Sequence, residues 1–208
     1  MLDGYARKRI DPLLNEMGVR LAATGVTANT VTVLAWIVGM AGALCIARSY
    51  FVAGLMLILL SRIGDGLDGA VARTTRPTEF GGYLDIVLDF VFYGAVPLGF
   101  VVADPVANGL AGAALLFSFY VNGASFLAYA AVAERIGLST DVRGGKSIYF
   151  TTGLAEATET YIAFAAACIF PARFAPIAWV FAVLCIYTAV SRIVLAGRVF
   201  RATAKDPS

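Results

Sequence analysis

Four aspartates lie close together in the chain, inside or beside segments apolar enough to sit in a lipid bilayer: Asp65, Asp68, Asp85 and Asp89. The first two are three residues apart and the last two are four apart, so each pair shares one face of its helix. A carboxylate near hydrocarbon is costly unless it is paired, bound to a metal or facing water. The cluster therefore predicts a functional site.

A metal ion is the expected counter-charge at this cluster. Four carboxylates this close would repel one another, and a divalent cation would remove the repulsion. A site made only of oxygen ligands favours Mg²⁺, Mn²⁺ or Ca²⁺ over zinc or copper, and four ligands suit one ion or two. The chain contains no histidine, which excludes a histidine general base and histidine zinc sites. Acid–base chemistry is thus expected to fall to the carboxylates.

The elements around the aspartates are predicted from composition, which is 60% hydrophobic and 14% charged. Soluble domains carry about 25% charged residues, so we predict an all-α integral membrane protein without a separate soluble domain. A membrane helix needs about 20 apolar residues. Six segments reach that length: 27–47, 50–73, 80–103, 107–134, 147–170 and 174–198. The predicted fold therefore has six transmembrane helices, in a domain over 26–200 followed by a short cytoplasmic tail over 201–208.

Residues 1–25 are predicted to form an amphipathic helix in the membrane interface. Apolar residues recur there at helical spacing and are interspersed with Arg7, Lys8 and Arg9, a pattern typical of interfacial helices. A soluble helix packed on loops is the alternative.

The basic residues predict the orientation of the chain in the membrane. With the N-terminus inside, the outer segments hold only Arg48 and Arg173. The inner segments hold Arg7, Lys8, Arg9, Arg20, Arg73, Arg76, Arg135, Arg143, Lys146, Arg198, Arg201 and Lys205. By the positive-inside rule both termini and the aspartate cluster are cytoplasmic, at the inner or plasma membrane if the source is bacterial. The net charge of +2 is too small to indicate nucleic acid as a partner.

The aspartates belong to a longer pattern. Asp65-x-x-Asp68-Gly69-x-x-Ala72-Arg73, followed after seven residues by Gly81-x-x-x-Asp85-x-x-x-Asp89, resembles the signature of the CDP-alcohol phosphotransferase family. The resemblance implies transfer of a phosphatidyl-type group from a CDP-linked lipid such as CDP-diacylglycerol to an alcohol, with release of CMP, in phospholipid synthesis. It implies Mg²⁺ or Mn²⁺ as cofactor, with Ca²⁺ as a substitute or inhibitor. Membrane lipids and a second copy of the chain, in a homodimer, are the other implied partners.

The resemblance also assigns residues to roles. Asp65, Asp68 and Asp85 would bind metal, and Asp89 would both reach a metal and act as general base. The residues implied for the cytidine nucleotide are Gly69, Ala72, Arg73, Thr78, Gly81, Asn29 and Thr32. For Arg73 the alternative is an anchor at the inner membrane surface. For Asn29 and Thr32 the alternative is a helix N-cap with polar first-turn residues.

Residues for the alcohol acceptor are expected on the fifth and sixth spans. At 1.5 Å per residue, Glu156 would lie about 14 Å and Arg192 about 9 Å into the membrane, so they would pair or line the acceptor chamber. Arg143 and Lys146 are further candidates, although Arg143 also fits a topology charge. Family members that use phosphorylated inositol place arginines near Ala157 and Thr160, so the acceptor stays open. Glycerol 3-phosphate, inositol and serine are the candidates.

A cation transporter or channel is the alternative class of protein, because intramembrane aspartates also mark ion pathways. The acids cluster at one membrane face, and the chain shows no paired broken helices in two matching halves, the pattern of many transporters. A purely structural cluster would leave four acids without compensation. Release of CMP would distinguish the enzyme from both alternatives.

Overall fold

A computed structural model describes residues 3–137 and 155–203 of the chain. These residues form seven α-helices, with no strand among them. They are α1 (Asp3–Ala23), α2 (Ala28–Ala47), α3 (Phe51–Thr75), α4 (Glu79–Ala103), α5 (Pro105–Arg135), α6 (Ala157–Ile169) and α7 (Phe174–Thr203), with a 3₁₀ turn at Pro171–Arg173. The all-α prediction is confirmed.

Side-chain caps set where several helices begin. Thr27, Thr78 and Asp104 each use a side-chain oxygen to accept a hydrogen bond from the backbone N–H three residues later, at 2.9–3.3 Å. Each cap satisfies one of the N–H groups that the first turn of a helix leaves unpaired. The chain therefore turns close to the predicted breaks between spans.

Four helices in the described part of the chain are long and apolar enough to cross a membrane: α2, α4, α5 and the stretch Pro171–Arg201, which contains all but the last two residues of α7. The chain is thus an integral membrane protein. The 25-residue α3 is long enough, but Arg62, Asp65 and Asp68 interrupt its apolar surface. The 13 residues of α6 extend about 20 Å, less than the hydrocarbon thickness of about 30 Å.

The start of α6 corrects the expected position of Glu156. A continuous helix over 147–170 would place Glu156 inside a span, but the structure begins the helix at Ala157. Glu156 is its N-cap, and the Glu156 backbone N–H donates to Oε2 of Glu159 at 3.3 Å. This reciprocal capping box explains why the helix begins there. The depth of 14 Å, which assumed helix from residue 147 onward, is therefore wrong.

Small residues bring α2, α3 and α4 into close contact. A Cβ atom at Gly42 would lie 2.9 Å from Cγ2 of Ile58, and one at Gly99 would lie 2.7 Å from the carbonyl oxygen of Ala43. Lipid tails are as apolar as leucine, so membrane helices are held together largely by such close van der Waals packing. These glycines therefore fix the spacing of the three helices that surround the aspartates.

An aromatic core lies on one side of this trio. The ring of Phe164 on α6 packs edge-on against Phe92 of α4 and Phe119 of α5, both at 6.3 Å between centroids. Phe100 of α4 stacks on Phe174 at 4.5 Å. These contacts position the short α6 against α4 and bring its first turns beside the aspartates.

The first helix packs on the half of α3 that carries the aspartates. A Cβ atom at Gly18 would lie 2.6 Å from Cβ of Ala70, and one at Gly66 would lie 2.7 Å from Cδ1 of Leu14. The predicted helix at the N-terminus is thus present. Its position in the membrane interface stays a prediction.

The contact between Gly99 and Ala43 predicts a stability effect. Gly99→Ala is expected to destabilise the protein by about 1–3 kcal/mol, because the added methyl group meets rigid backbone and must push α4 away from α2. The matched control is Gly94→Ala on the same helix, where a Cβ atom would meet nothing within 4 Å. Thermal unfolding in detergent should show a lower midpoint for Gly99→Ala alone. Equal midpoints would contradict the packing.

Candidate active site

Three of the four aspartates converge on one point. Asp65 and Asp68 on α3 and Asp85 on α4 each offer a carboxylate oxygen, and these oxygens lie within 4.8 Å of one another. The three-residue loop at 76–78 joins α3 to α4, and both helices pack on α2, which brings the aspartate-bearing ends of the two helices together. The spacing between the carboxylates matches a site for a divalent cation.

The environment of Asp68 supports that interpretation. Its side chain is buried, and its Oδ2 atom has no hydrogen-bond partner among the described residues. A buried carboxylate oxygen without a donor is rare in proteins, since buried polar groups are nearly always paired. A cation would supply the missing partner, so the three carboxylates fit a Mg²⁺ or Mn²⁺ ion.

The fourth aspartate has a partner that the sequence did not reveal. Nη1 of Arg62 donates to Oδ1 of Asp89 at 2.8 Å and lies 3.4 Å from Oδ1 of Asp65. The expectation that the four acids lack compensation within the protein is therefore wrong. Asp89 lies beside the three clustered carboxylates and is held by an arginine one turn before Asp65.

Two tyrosines extend this arrangement toward α6. Nη1 of Arg62 also donates to the hydroxyl of Tyr161 on α6 at 3.0 Å. The hydroxyls of Tyr161 and Tyr93 are hydrogen-bonded at 2.8 Å, and their rings stack. A polar network thus joins α3, α4 and α6 directly beside Asp89.

A small pocket opens between these groups. It is lined by Thr32, Trp36, Arg62, Asp65, Asp85, Leu88 and Asp89. Thr32 is buried, and its hydroxyl donates to the carbonyl of Ala28 at 3.0 Å. Trp36 lies one turn further along α2, and its Nε1–H has no partner among the described residues. The pocket is therefore lined by acidic side chains together with a tryptophan whose indole N–H is unpaired among the described residues.

Three of the residues implied for the nucleotide also meet. A Cβ atom at Gly81 would lie 2.8 Å from Oδ1 of Asn29 and 3.0 Å from Oγ1 of Thr78. Only a residue without a side chain fits at position 81 while Asn29 stays in place. Thr78 caps α4, so the same hydroxyl that starts the helix also borders this group.

Gly69, Ala72 and Arg73 lie further along α3. Nη1 of Arg73 approaches Gly69, because a Cβ atom there would lie 3.3 Å from it. Nη2 of Arg73 donates to Oδ1 of Asn15 on α1 at 2.8 Å. The exposed Arg73 side chain is thus oriented by the first helix, a contact that the sequence did not predict.

The candidate acceptor residues are only partly brought together. Nη1 of Arg192 donates to the carbonyl and to Oδ1 of Asn122 at 3.0 and 3.1 Å, and to Oγ of Ser125 at 2.6 Å. An electrostatic interaction links Glu156 to Arg192, and a shared role of the two residues at an acceptor site stays a prediction. Arg143 and Lys146 lie outside the described residues.

The most important residue that sequence reasoning missed is Arg62. Its spacing from Asp65 (three residues, one helix face) was visible in the sequence. Tyr93, four residues after Asp89, carried the same signal. No sequence spacing could have indicated Tyr161, because its hydrogen bond to Arg62 joins two helices far apart in the chain.

Comparison with known proteins supplies the family. The model of the family described as CDP-alcohol phosphatidyltransferase matches residues 25–190. The chain belongs to this family. It is therefore a CDP-alcohol phosphotransferase, which favours the enzyme over the cation transporter.

Two relatives illustrate the similarity in sequence. The inner membrane protein YnjF of Escherichia coli (strain K12) is 44% identical over 193 residues, which cover 93% of this chain and 94% of that protein. A phosphatidylinositol phosphate synthase of Streptomyces avermitilis is 34% identical over 148 residues, or 69% of this chain and 60% of that protein.

Solved structures agree in fold. The phosphatidylinositol phosphate synthase PgsA1 of Mycobacterium tuberculosis in complex with manganese and citrate superposes with a TM-score of 0.65 at 23% identity, over 88% of each chain. The same synthase with CDP-DAG bound gives a TM-score of 0.64 at 23% identity, over 89% of this chain and 94% of that one. At this identity the likeness shows the shared fold.

Proposed function

We propose that this chain transfers a phosphatidyl-type group from a CDP-linked lipid such as CDP-diacylglycerol to the hydroxyl of a small alcohol and releases CMP. The observation that carries the proposal is the convergence of Asp65, Asp68 and Asp85 beside Asp89 in a chain of this family. The manganese of the PgsA1 complex supports Mg²⁺ or Mn²⁺ as the cofactor.

The residues of the site divide the chemistry between them. Asp65, Asp68 and Asp85 would hold one or two divalent ions, which stabilise charge on the phosphates and on the departing CMP. Asp89 accepts the proton of the acceptor hydroxyl while that oxygen forms a bond to the phosphatidyl phosphorus. The bond from this phosphorus to the CMP oxygen breaks, and CMP leaves with the electron pair.

The nucleotide would lie along the start of α4 and the end of α3. Asn29, Thr78 and Gly81 form one cluster there, and the small Gly69 and Ala72 leave room on α3. Thr32 lines the pocket beside the aspartates. Arg73 presents five N–H donors, so it can bind a phosphate oxygen and keep its bond to Asn15.

We further propose six membrane spans within 26–200, with both termini and the site on the cytoplasmic side. In this arrangement α3 is the second span and turns its charged residues into the site rather than toward lipid. The proposed fifth span, 147–170, contains α6, and α1 lies along the inner membrane surface. The chain forms a homodimer, as the family resemblance implies. The excess of Lys and Arg in the proposed inner loops supports this orientation.

The acceptor is proposed to be glycerol 3-phosphate or a polar alcohol such as inositol or serine. The Streptomyces relative is named a phosphatidylinositol phosphate synthase, which supports a phosphorylated acceptor. Arg192 is a candidate for that phosphate, with Arg143, Lys146 and Glu156 as further acceptor residues. Asn122 and Ser125 hold Arg192 in place, because both accept hydrogen bonds from its Nη1.

CMP release by the purified protein tests this function. The protein is given CDP-diacylglycerol with Mg²⁺ or Mn²⁺ and, in separate reactions, serine, inositol, inositol phosphate, glycerol 3-phosphate, choline or phosphatidylglycerol. We expect CMP with one acceptor of this panel and none after chelation of the metal, because the phosphates then lose their counter-charge. Absence of both CMP release and CDP-lipid binding would contradict the function, whereas binding without release would point to a different alcohol.

A further inference from the structure

Arg62 is a buried cation in the middle of the largely apolar helix α3. Its side chain is 11% exposed, and it follows an almost unbroken apolar stretch from Phe51 to Leu60. Placing an arginine at such a position costs free energy, so intramembrane arginines are retained where their partners have a function. The partners of Arg62 therefore indicate what it does.

The guanidinium of Arg62 is confined from several sides. Nη1 donates to Asp89 and Tyr161 at 2.8 and 3.0 Å, and Nη2 donates to the hydroxyl of Ser61 at 3.1 Å. Its flat face lies over the ring of Phe92 at 4.1 Å. The fork of donors and the stacked ring leave one orientation for the group.

Arg62 contacts only one side of the Asp89 carboxylate. Its ion pair with Asp89 uses Oδ1, no hydrogen bond joins it to Oδ2, and both residues line the same pocket. Asp89 alone could rotate about its side-chain bonds. Held by Arg62, it presents one oxygen in a constant direction.

We infer that Arg62 is a positioning residue for the transfer reaction: it fixes Oδ1 of Asp89 so that Oδ2 meets the acceptor hydroxyl. This inference rests on the proposed function, in which Asp89 takes the acceptor proton. Two tyrosines help to fix Arg62. The hydroxyl of Tyr161 accepts a second hydrogen bond from Nη1 of Arg62 and is itself hydrogen-bonded to the hydroxyl of Tyr93. The network thereby couples α6, on the acceptor side, to the general base.

Arg62→Met and Arg62→Lys test the inference against a structural ion pair. The wild type is first shown to release CMP with an identified acceptor, so that failure of the proposed function is recognised separately. We then expect Arg62→Met to lower kcat about 100-fold, since a misplacement of about 1 Å costs that much. The kcat is referred to protein that binds CDP-diacylglycerol, and KM for that lipid should stay within about threefold of wild type.

The lysine variant distinguishes orientation from charge. Lysine keeps the positive charge but cannot hold Asp89 and stack on Phe92 with the same planar fork. We expect its kcat to lie between those of Arg62→Met and wild type, about tenfold below wild type. If Arg62→Met does not fold, Arg62→Lys decides: wild-type kcat in the folded lysine variant would overturn the inference. Unchanged kcat in a folded Arg62→Met protein would do the same.

Titration of the protein with Mn²⁺ alone gives a second readout, independent of turnover. Arg62 lies 3.4 Å from Asp65, so removing its charge should strengthen Mn²⁺ binding, by about threefold or more. A weaker affinity for Mn²⁺ in Arg62→Met would mean that the arginine orders the metal ligands rather than Asp89. That outcome would also overturn the inference.

Discussion

Asp89→Asn is expected to lower kcat for CMP release by about 10³-fold, the contribution typical of a general base. Asparagine has nearly the same shape as aspartate, and its amide oxygen can still accept the hydrogen bond from Arg62, which spans 2.8 Å in the structure. An amide cannot take the proton of the acceptor hydroxyl. The affinity for CDP-diacylglycerol should therefore remain close to wild type while turnover is lost.

Steady-state kinetics and CDP-lipid binding, measured on the same preparation, check this prediction. The matched control is Asp104→Asn at the other end of α4, where the side chain caps α5 by accepting from Ala107 at 2.9 Å. Asparagine caps helices as well as aspartate does, so this control should keep wild-type activity. Wild-type turnover in Asp89→Asn would discard Asp89 as the base.

The structure gives a physical reason why Asp89 differs from the other three acids. Asp65, Asp68 and Asp85 offer oxygens to one shared point, whereas Asp89 is engaged by Arg62. The hydrogen-bonded positive charge of Arg62 reduces the need of Asp89 for a cation. Asp65 shares that arginine only at 3.4 Å, and Asp68 and Asp85 have no ion pair with it among the described residues. The geometry thus supports a division of labour between three metal ligands and one base, which the sequence pattern alone implied only through resemblance.

Much of this site could be predicted from the sequence because helical periodicity is local information. Residues three or four apart share a face, so the pairing of Asp65 with Asp68 needed no knowledge of the fold. The short loop around Pro77 holds the adjoining ends of α3 and α4 together, although the two helices pack mainly on α2 and not on each other. Convergence of Asp85 with the first pair followed from these two facts.

The contacts that the sequence did not predict all cross between helices. Tyr161 reaches Arg62 from α6, and Asn15 reaches Arg73 from α1, each over a large separation in the chain. Such contacts depend on how far each helix is rotated and shifted along its neighbour. Rotation and shift are set by the whole packing, including glycines such as Gly18 and Gly99, and not by any short pattern.

The start of α6 carries a local signal in the sequence. Glu156 and Glu159 have the three-residue spacing of a capping box. Interpreting them as intramembrane acids inside a continuous span overlooked that local signal. Their apolar surroundings favoured a continuous span, because a hydropathy pattern does not show at which residue of an apolar segment a helix begins.

Asp68→Asn is expected to abolish metal binding and nucleotide binding together, in contrast to Asp89→Asn. Loss of a residue that hydrogen-bonds to a metal ligand weakens metal affinity by about 10–100-fold. Loss of Asp68, a proposed ligand itself, should therefore weaken Mn²⁺ binding by at least about 100-fold. In the proposed function the CDP-lipid diphosphate shares that ion, so its binding should fall as well. Asp104→Asn again serves as the control with the same chemical change outside the site.

Thermal unfolding makes this prediction quantitative. Mn²⁺ at about 100 times its dissociation constant should stabilise the wild type by about 2.7 kcal/mol, because only the folded protein assembles the three ligands. In Asp68→Asn the same concentration should give almost no stabilisation. Without metal the variant should be at least as stable as wild type, because a buried carboxylate oxygen with no partner has been replaced by a neutral amide. A variant that still titrates normally with Mn²⁺ would remove Asp68 from the metal site.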